Sequence, residues 1–186
     1  MSKDYLDLEH TLVLTLDVVN GSCSSQNKFG AVVEQNAKVA KQINSFVKAC
    51  RKHHIEVAHI IPHTDDTESW AQNFFELNPQ NDLIFRKKRF DVWQCEEFSN
   101  FVRSKQITTL VITGFEALAC VQYAVLGAAE RKLKVIVLKD LISNAYWDTW
   151  KNNVDALTEV ISCLYGVVCT TQELLSAWSK TKKLFN

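Results

Sequence analysis

Three side chains with complementary chemistry follow predicted strands of this chain: an acid, an amine and a thiol. Asp17 comes directly after the apolar run Leu12–Leu16, and Lys87 comes just beyond the third such run. Cys120 lies shortly after Gly114, which ends the fourth run, at a point where a helical pattern begins. Because ligands of parallel α/β sheets bind beyond the carboxyl ends of the strands, we expect these groups to converge at one edge.

Such a trio could perform nucleophilic catalysis. A helix N-terminus next to Cys120 and a cation beside it, Lys87, would lower the pKa of the thiol. Asp17 could take the thiol proton if burial raises the pKa of its own carboxyl toward neutrality. Two backbone N–H groups on the turn before the helix could hold an oxyanion. On these residues alone an alternative stays open, in which Asp17 merely ends a strand and Cys120 packs as a small hydrophobe.

Hydrophobic periodicity predicts the strands and helices that must position this trio. Apolar, β-branched runs, typical of strands buried on both faces, alternate with helical patterns. Thr170 and Glu173 have the spacing of a capping box and open a last helix. The alternation predicts right-handed βαβ units, and hence a three-layer α/β/α Rossmann-like fold with a mostly parallel central sheet of about six strands. The predicted strands are 12–16, 57–61, 83–85, 110–113, 135–138 and 167–169.

Composition narrows the class of protein further. The chain has 21 basic and 21 acidic residues, and this balance argues against a dedicated nucleic-acid binder. No apolar stretch is long enough to span a membrane, and the N-terminus lacks the apolar segment of a secretory signal, so we expect a cytoplasmic protein without a membrane partner. A chain of 186 residues fits one domain, here residues 1–186.

Three segments resemble the isochorismatase-like, or cysteine hydrolase, superfamily, which includes nicotinamidases and N-carbamoylsarcosine amidases. Leu14–Asn20 looks like the opening strand of that family, which ends in an aspartate. Arg86–Trp93 resembles the family segment that has a lysine and an aromatic about six residues on, a register that selects Lys87 over Lys88. Gly114–Val121 resembles the family's turn from glycine to Cys-Val. True isochorismatases lack the cysteine, so its presence argues against that reaction.

The resemblance implies a mechanism and a site. Asp17 would be the general base, Cys120 the nucleophile that forms a thioester with a small amide, and Lys87 would orient the aspartate and stabilise charge. The oxyanion hole would use the amides of Cys120 and Glu116, and the cis peptide bond that is usual in the family maps to Phe115–Glu116. The expected substrate pocket is lined by Val19, Trp93, Phe115 and Ala119.

Departures from the family pattern support a second hypothesis. The family often has Gln where this chain has Val19, a hydroxyl residue where it has Ala117, and a polar residue where it has Leu118. The surroundings of the triad are therefore more apolar than usual. The alternative is a catalytically weak or inactive family member that binds small molecules or senses redox state through Cys120, as an oligomer.

We expect no metal and no cofactor. Nicotinamidases typically carry an Asp and His metal cluster after the second strand, and here His59, His63, Asp65 and Asp66 lie in that region. The match is poor because His59 falls inside the strand and no Asp-x-His occurs. The expected partners are therefore a small-molecule substrate and, because family members are often dimers or larger, further copies of the chain.

Overall fold

The fold is built around one central sheet of six strands, all parallel, in the order β3-β2-β1-β4-β5-β6. The computed structural model describes residues 7–23, 34–63, 69–75, 77, 82–144 and 151–185, without the side chains of 151, 152 and 181–185. The predicted three-layer α/β/α fold is confirmed, in the Rossmann strand order. The strands are β1 (Thr11–Leu16), β2 (Glu56–Pro62), β3 (Asp82–Lys87), β4 (Thr109–Gly114), β5 (Lys134–Ile142) and β6 (Val167–Cys169).

Six helices accompany these strands in the described part of the chain. The capping box predicted at the last helix is present, since Glu173 accepts from the amide of Thr170 at 2.7 Å. No helix among the described residues combines the length and the apolar character needed to cross a membrane. The helices are α1 (Asn20–Cys23), α2 (Glu34–Lys52), α3 (Glu96–Ser104), α4 (Gln122–Glu130), α5 (Lys151–Leu164) and α6 (Thr171–Phe185).

Two hydrophobic clusters cover the two faces of the sheet. Successive side chains of a strand point to opposite faces. On β1, Leu12 and Leu14 therefore join one cluster and Val13 joins the other. The first cluster contains buried side chains of α3, α4 and α5, and the second contains those of α2 and α6. Helices consequently shield both faces, which explains why the central strands are apolar without alternation.

The strand predictions miss two local features. β3 is an edge strand and Ile84 on it is exposed, so it is not buried on both faces as its apolar run suggested. β5 continues past the charged pair Lys139-Asp140 to Ile142, because a register shift against β4 pairs Ile142 with Gly114. This extension brings the chain after β5 alongside the turn that follows β4.

Gly114 is required where β1 and β4 come together. Its φ of +108° lies in a region that residues with a side chain rarely adopt. A Cβ at this position would lie 2.2 Å from the carbonyl oxygen of Leu16. The next amide, of Phe115, donates to that same carbonyl at 2.8 Å. The glycine therefore lets the chain leave β4 while remaining hydrogen-bonded to β1.

Candidate active site

The acid, the amine and the thiol singled out in the sequence meet at the carboxyl edge of the sheet. Lys87 Nζ lies 2.8 Å from Asp17 Oδ2 and donates to Cys120 Sγ at 3.3 Å. All three residues are buried, with exposed fractions of 8% for Asp17, 6% for Lys87 and 5% for Cys120. The lysine thus links the carboxylate and the sulfur in a site with little contact with solvent.

Asp17 occupies a tight turn at the end of β1. Its φ of +51° is a left-handed conformation that aspartate tolerates better than most residues do. The turn is held by two backbone hydrogen bonds of 2.9 Å, from the Asp17 amide to the Ile60 carbonyl and from the Val19 amide to the Asp17 carbonyl. β1 adjoins β4, where the strand order changes direction, which is the usual position of a ligand site in such sheets.

Lys87 is the last residue of β3, and β2 separates β3 from β1. At about 4.8 Å between neighbouring strands, the two strands lie roughly 10 Å apart. A long side chain is needed to cover that distance, and lysine provides one with a cation at its end. Lys88 is exposed, whereas Lys87 is buried and contacts both partners, so the geometry selects the register that places Lys87 in the trio.

Cys120 lies in a π-helical turn, Ala117–Val121, that leads directly into α4. The peptide bond Phe115–Glu116, just before this turn, is cis, at the position that the family resemblance implied. The residue that follows β5 holds the turn, because the Ala117 amide donates to the Ser143 carbonyl at 2.9 Å. Single π-helical turns occur often at functional sites.

The pKa values of Cys120 and Lys87 reflect their burial and the charges beside them. Burial, and after it the negative charge of Asp17, raise the pKa of the Cys120 thiol to about 12, although Lys87 acts in the opposite direction. Burial is the largest influence on Lys87 and lowers its pKa, but the charges and hydrogen bonds of Asp17 and Cys120 together outweigh burial, so that pKa lies above its usual value. The resting site therefore holds a neutral thiol beside a lysine–aspartate ion pair.

The trio opens into a cavity of about 560 Å³, a size usual for small-molecule sites. Of the four residues that the sequence placed in the substrate pocket, Val19 and Ala119 line this cavity. Glu116 of the proposed oxyanion turn lines it as well. The other lining residues among those described are Gly21, Ser22, Pro62, His63, Trp70, Lys88, Arg89 and Phe90.

The structure places Trp93 and Phe115 in the packed interior, which corrects the expectation that they line the pocket. Trp93 is buried under α4, where its Nε1 donates to the Ala124 carbonyl at 3.1 Å and Arg131 lies over its ring. Phe115 is fully buried in the cluster that faces α2 and α6. Each lies next to a site segment in sequence, but its side chain points into a hydrophobic cluster because burial of an aromatic ring is strongly favourable.

Several residues that line the cavity were not identified from the sequence. Lys88, Arg89 and Phe90 directly follow Lys87, so their position after a strand end was a usable signal. Trp70 comes from a polar segment without regular periodicity, and its ring lies against Gly21. Only packing brings that segment to the site.

Glu116 is held in place by a buried amide. Asn36, near the start of α2, donates from Nδ2 to Glu116 Oε1 at 3.0 Å, and both residues are buried. This contact joins α2 to the turn that carries Cys120. The orientation of the Glu116 side chain at the cavity is therefore fixed by a helix distant in sequence.

The described residues contain no group of three or more His, Cys, Asp or Glu arranged to hold a metal ion. His59 lies within β2 and its Nδ1 is 2.7 Å from Thr15 Oγ1, while Nε2 is 3.4 Å from Asp82 Oδ2. Arg51 donates from Nε to Asp82 Oδ1 at 3.1 Å, so the histidine belongs to a buried polar network. Asp65 and Asp66 lie outside the described residues.

His59 makes the stability of the fold pH-dependent. Burial lowers the pKa of its imidazole to about 4, although Asp82 opposes this shift. Between about pH 6.5 and the native pKa the unfolded state binds a proton that the folded state does not, so the free energy of unfolding falls as pH falls. We expect a loss of up to roughly 3 kcal/mol over that interval, at about 1.4 kcal/mol per pKa unit.

Urea unfolding at a series of pH values measures this effect. His59→Gln should flatten the acid limb of the curve, whereas His54→Asn, which replaces an exposed histidine, should leave the limb unchanged. If the free energy of unfolding falls equally steeply with falling pH in wild type and His59→Gln, groups other than His59 cause the loss of stability in acid.

The family described as isochorismatase domain matches residues 11–173. Comparison with curated protein sequences gives no match. The family match covers all six strands and every member of the trio.

Solved structures of similar fold include a cysteine hydrolase from Pseudomonas syringae pv. phaseolicola 1448A, with a TM-score of 0.85, 16% identity and coverage of 95% of both chains. N-carbamoylsarcosine amidase from Thermoplasma acidophilum has a TM-score of 0.70 and 17% identity, with 87% of this chain and 96% of that chain covered. Nicotinamidase from Bacillus subtilis has a TM-score of 0.72 and 13% identity, with coverage of 86% and 99%. At these identities the likeness establishes the fold alone.

Proposed function

This chain belongs to the isochorismatase-domain family, and from that premise we propose that it is a cysteine hydrolase that cleaves the C–N bond of a small amide through a thioester on Cys120. One observation carries the proposal: the Lys87 ammonium contacts both the Asp17 carboxylate and the Cys120 sulfur inside a buried cavity. A proton acceptor, a cation and a nucleophile are the groups that acyl transfer requires.

The two oxygens of Asp17 have different surroundings. Oδ2 is paired with Lys87, whereas Oδ1 is buried and has no hydrogen-bond partner in the part of the chain that the structure describes. Oδ1 is therefore suited to accept the thiol proton. Because the pKa of the thiol is about 12, we infer that the thiolate forms as the proton moves to Asp17 during attack, and does not exist beforehand.

Acylation then follows in two bond changes. Cys120 Sγ bonds to the amide carbon, and the carbonyl oxygen takes the negative charge, which the amides of Glu116 and Cys120 would stabilise. The proton held by Asp17 passes to the amide nitrogen, the C–N bond breaks, and an amine or ammonia leaves. A thioester on Cys120 remains, and Lys87 offsets the negative charge of the site during both changes.

Deacylation reverses the roles. Asp17 takes a proton from a water molecule, the resulting hydroxide attacks the thioester carbon, and the carbon–sulfur bond breaks. The proton returns to the sulfur and a carboxylic acid is released. One carboxylate can serve both steps because each returns it to the ionised form.

Burial of the thiol supports hydrolysis over redox sensing. Sensor cysteines combine a low pKa with access to solvent. Cys120 has a raised pKa and an exposed fraction of 5%, which is the opposite combination. The apolar residues Ala117 and Val19 do not interrupt the trio, because both are buried beside it and leave its contacts intact.

The proposal is tested by direct capture of the acyl-enzyme. The wild-type protein is mixed with a panel of small amides that includes nicotinamide and carbamoyl compounds, quenched in acid and analysed by peptide mass spectrometry, while ammonia is measured in parallel. We expect an acyl adduct on Cys120 and none on the exposed Cys163. Absence of both adduct and ammonia across the panel, with an intact fold, would contradict the proposal.

Asp17→Asn should separate the two roles of the carboxylate. Its charge raises the pKa of Cys120, so its removal should lower that pKa and make alkylation by iodoacetamide level off at lower pH. Amide hydrolysis should nevertheless fall by roughly 10²–10⁴-fold, because the proton acceptor is lost. Because the pKa of the wild-type thiol is about 12, rates measured from about pH 6 to about pH 10 should still be rising in the wild type and should rise at lower pH in the variant.

The exposed residue Asp155 provides a matched control, since Asp155→Asn removes the same charge from α5. Asp155→Asn should change neither the rate of alkylation of Cys120 nor the rate of amide hydrolysis. An unchanged titration of Cys120 in Asp17→Asn would indicate that the carboxylate does not act on the sulfur.

A further inference from the structure

The charges around the catalytic cavity differ between its interior and its mouth. The buried charges there are Asp17, which is paired with Lys87 at 2.8 Å, and Glu116, which is held by Asn36. The strongly basic exposed residues are Lys88 and Arg89. No exposed acid lines the cavity among the residues that the structure describes.

The two cations are held at the mouth by the chain that surrounds them. They follow β3 directly, and Phe90, the next residue, stacks on Tyr123 of α4 with a ring separation of 6.4 Å. Asp91, the nearest acid that follows them in sequence, accepts from the Trp93 amide at 2.9 Å and so caps the following turn. Within the described ranges, neither Lys88 nor Arg89 forms an ion pair.

We propose that Lys88 and Arg89 select substrates that carry an anionic group, such as a carboxylate, at the end remote from the amide that Cys120 attacks. This inference rests on the proposed function and adds the chemical class of the substrate. A guanidinium pairs with a carboxylate through two parallel hydrogen bonds, and an ammonium adds a second positive charge. A cavity whose mouth carries only positive charges also raises the local concentration of anions.

The position of the cations fits a short substrate. The amide must reach Cys120, which is almost completely buried, whereas Lys88 and Arg89 are exposed at the mouth of the same cavity. A molecule with an amide at one end and a carboxylate at the other would place each group beside its partner. The ion pair between Asp17 and Lys87 leaves the interior without a free cation from this trio, so the anionic end is directed outward.

Two alkylating reagents of nearly equal size test this selectivity without knowledge of the substrate. Iodoacetate and iodoacetamide both form a sulfur–carbon bond with loss of iodide. Iodoacetate carries a carboxylate where iodoacetamide carries a neutral amide. The rate of each at Cys120 is measured by peptide mass spectrometry, with the exposed Cys163 of the same protein as reference. The measured quantity is the iodoacetate-to-iodoacetamide ratio at Cys120 divided by that at Cys163.

We expect a normalised ratio above one in the wild type, and a decrease of roughly three- to tenfold in the double variant Lys88→Gln/Arg89→Gln, since steering of anions is lost. The ratio should also decrease at high salt, because exposed charges are screened. The control variant Arg103→Gln/Lys132→Gln removes two exposed positive charges at the opposite end of the sheet and should retain the wild-type ratio.

The outcomes separate this inference from the proposed function. An unchanged ratio in Lys88→Gln/Arg89→Gln, while iodoacetamide still alkylates Cys120, would overturn the anion selectivity and leave the hydrolase intact. An equal decrease of the ratio in the control variant would also overturn the anion selectivity. The net charge of the protein, and not the two cations at the cavity mouth, would then explain the effect. Failure of amide acylation at Cys120 in the capture experiment, by contrast, contradicts the proposed function itself.

Discussion

Replacement of Cys120 by alanine is expected to reduce amide hydrolysis by roughly 10³-fold or more, because removal of a nucleophile eliminates the covalent route. The sulfur is the atom that Lys87 contacts at 3.3 Å, and alanine supplies no substitute for it. The rate of ammonia release from the best amide of the panel measures the effect. Cys120→Ser provides a second comparison, since its hydroxyl keeps a poorer nucleophile in the same position.

Cys163→Ala is the matched control, because it removes a thiol from an exposed position on α5. It should retain the activity of the wild type. Circular dichroism should show that Cys120→Ala is folded, since the substitution removes one buried atom and leaves only a small cavity. Equal activity in Cys120→Ala and wild type would show that Cys120 is not the nucleophile and would contradict the proposed thioester route.

Lys87→Met is expected to destabilise the fold by roughly 3–5 kcal/mol, because it leaves the Asp17 charge buried without its cation. Methionine has a similar length, so packing changes little, while the ion pair at 2.8 Å is lost. The side chains are only 6% and 11% exposed, so water cannot easily replace the lysine. The free energy of unfolding from urea titration measures the loss.

The double variant Asp17→Asn/Lys87→Met isolates the cause. It should recover most of the lost stability, because no unpaired charge remains in the site. Lys105→Met is the surface comparison: its partner Glu56 lies 3.3 Å away, but the two side chains are 52% and 42% exposed. Lys105→Met should lower the free energy of unfolding by less than about 1 kcal/mol. If Lys105→Met and Lys87→Met lower the free energy of unfolding equally, burial of the pair formed by Asp17 and Lys87 does not strengthen it.

The fold was largely predictable because its signals are local. Each central strand is an apolar run that helices shield on both faces, and the helices show the periodicity of their buried side. The capping box at Thr170 and Glu173 is a spacing of three residues, so both ends of the signal lie in one short segment. Whether a strand lies at the edge of a sheet depends on how distant strands pair, so the edge position of β3 was not predictable from its own residues.

The proximity of Asp17, Lys87 and Cys120 was predictable for a related reason. In a parallel sheet all strand ends lie at one edge, so residues that follow strands become neighbours whatever their separation in sequence. The resemblance of three short segments to one family then distinguished Asp17, Lys87 and Cys120 from other residues that follow strands. Their distances and burial, and hence the neutral state of the thiol, follow only from packing.

The lining of the cavity depended on tertiary structure throughout. Trp93 and Phe115 adjoin site segments in sequence, yet their rings lie in hydrophobic clusters, whereas the exposed cations Lys88 and Arg89 face the cavity. Sequence by itself determined which elements form and which chemical groups reach the carboxyl edge of the sheet, because periodicity and strand ends are short-range properties. Only the tertiary structure decided which side chains point into the cavity and with what pKa, because those depend on neighbours supplied by distant segments.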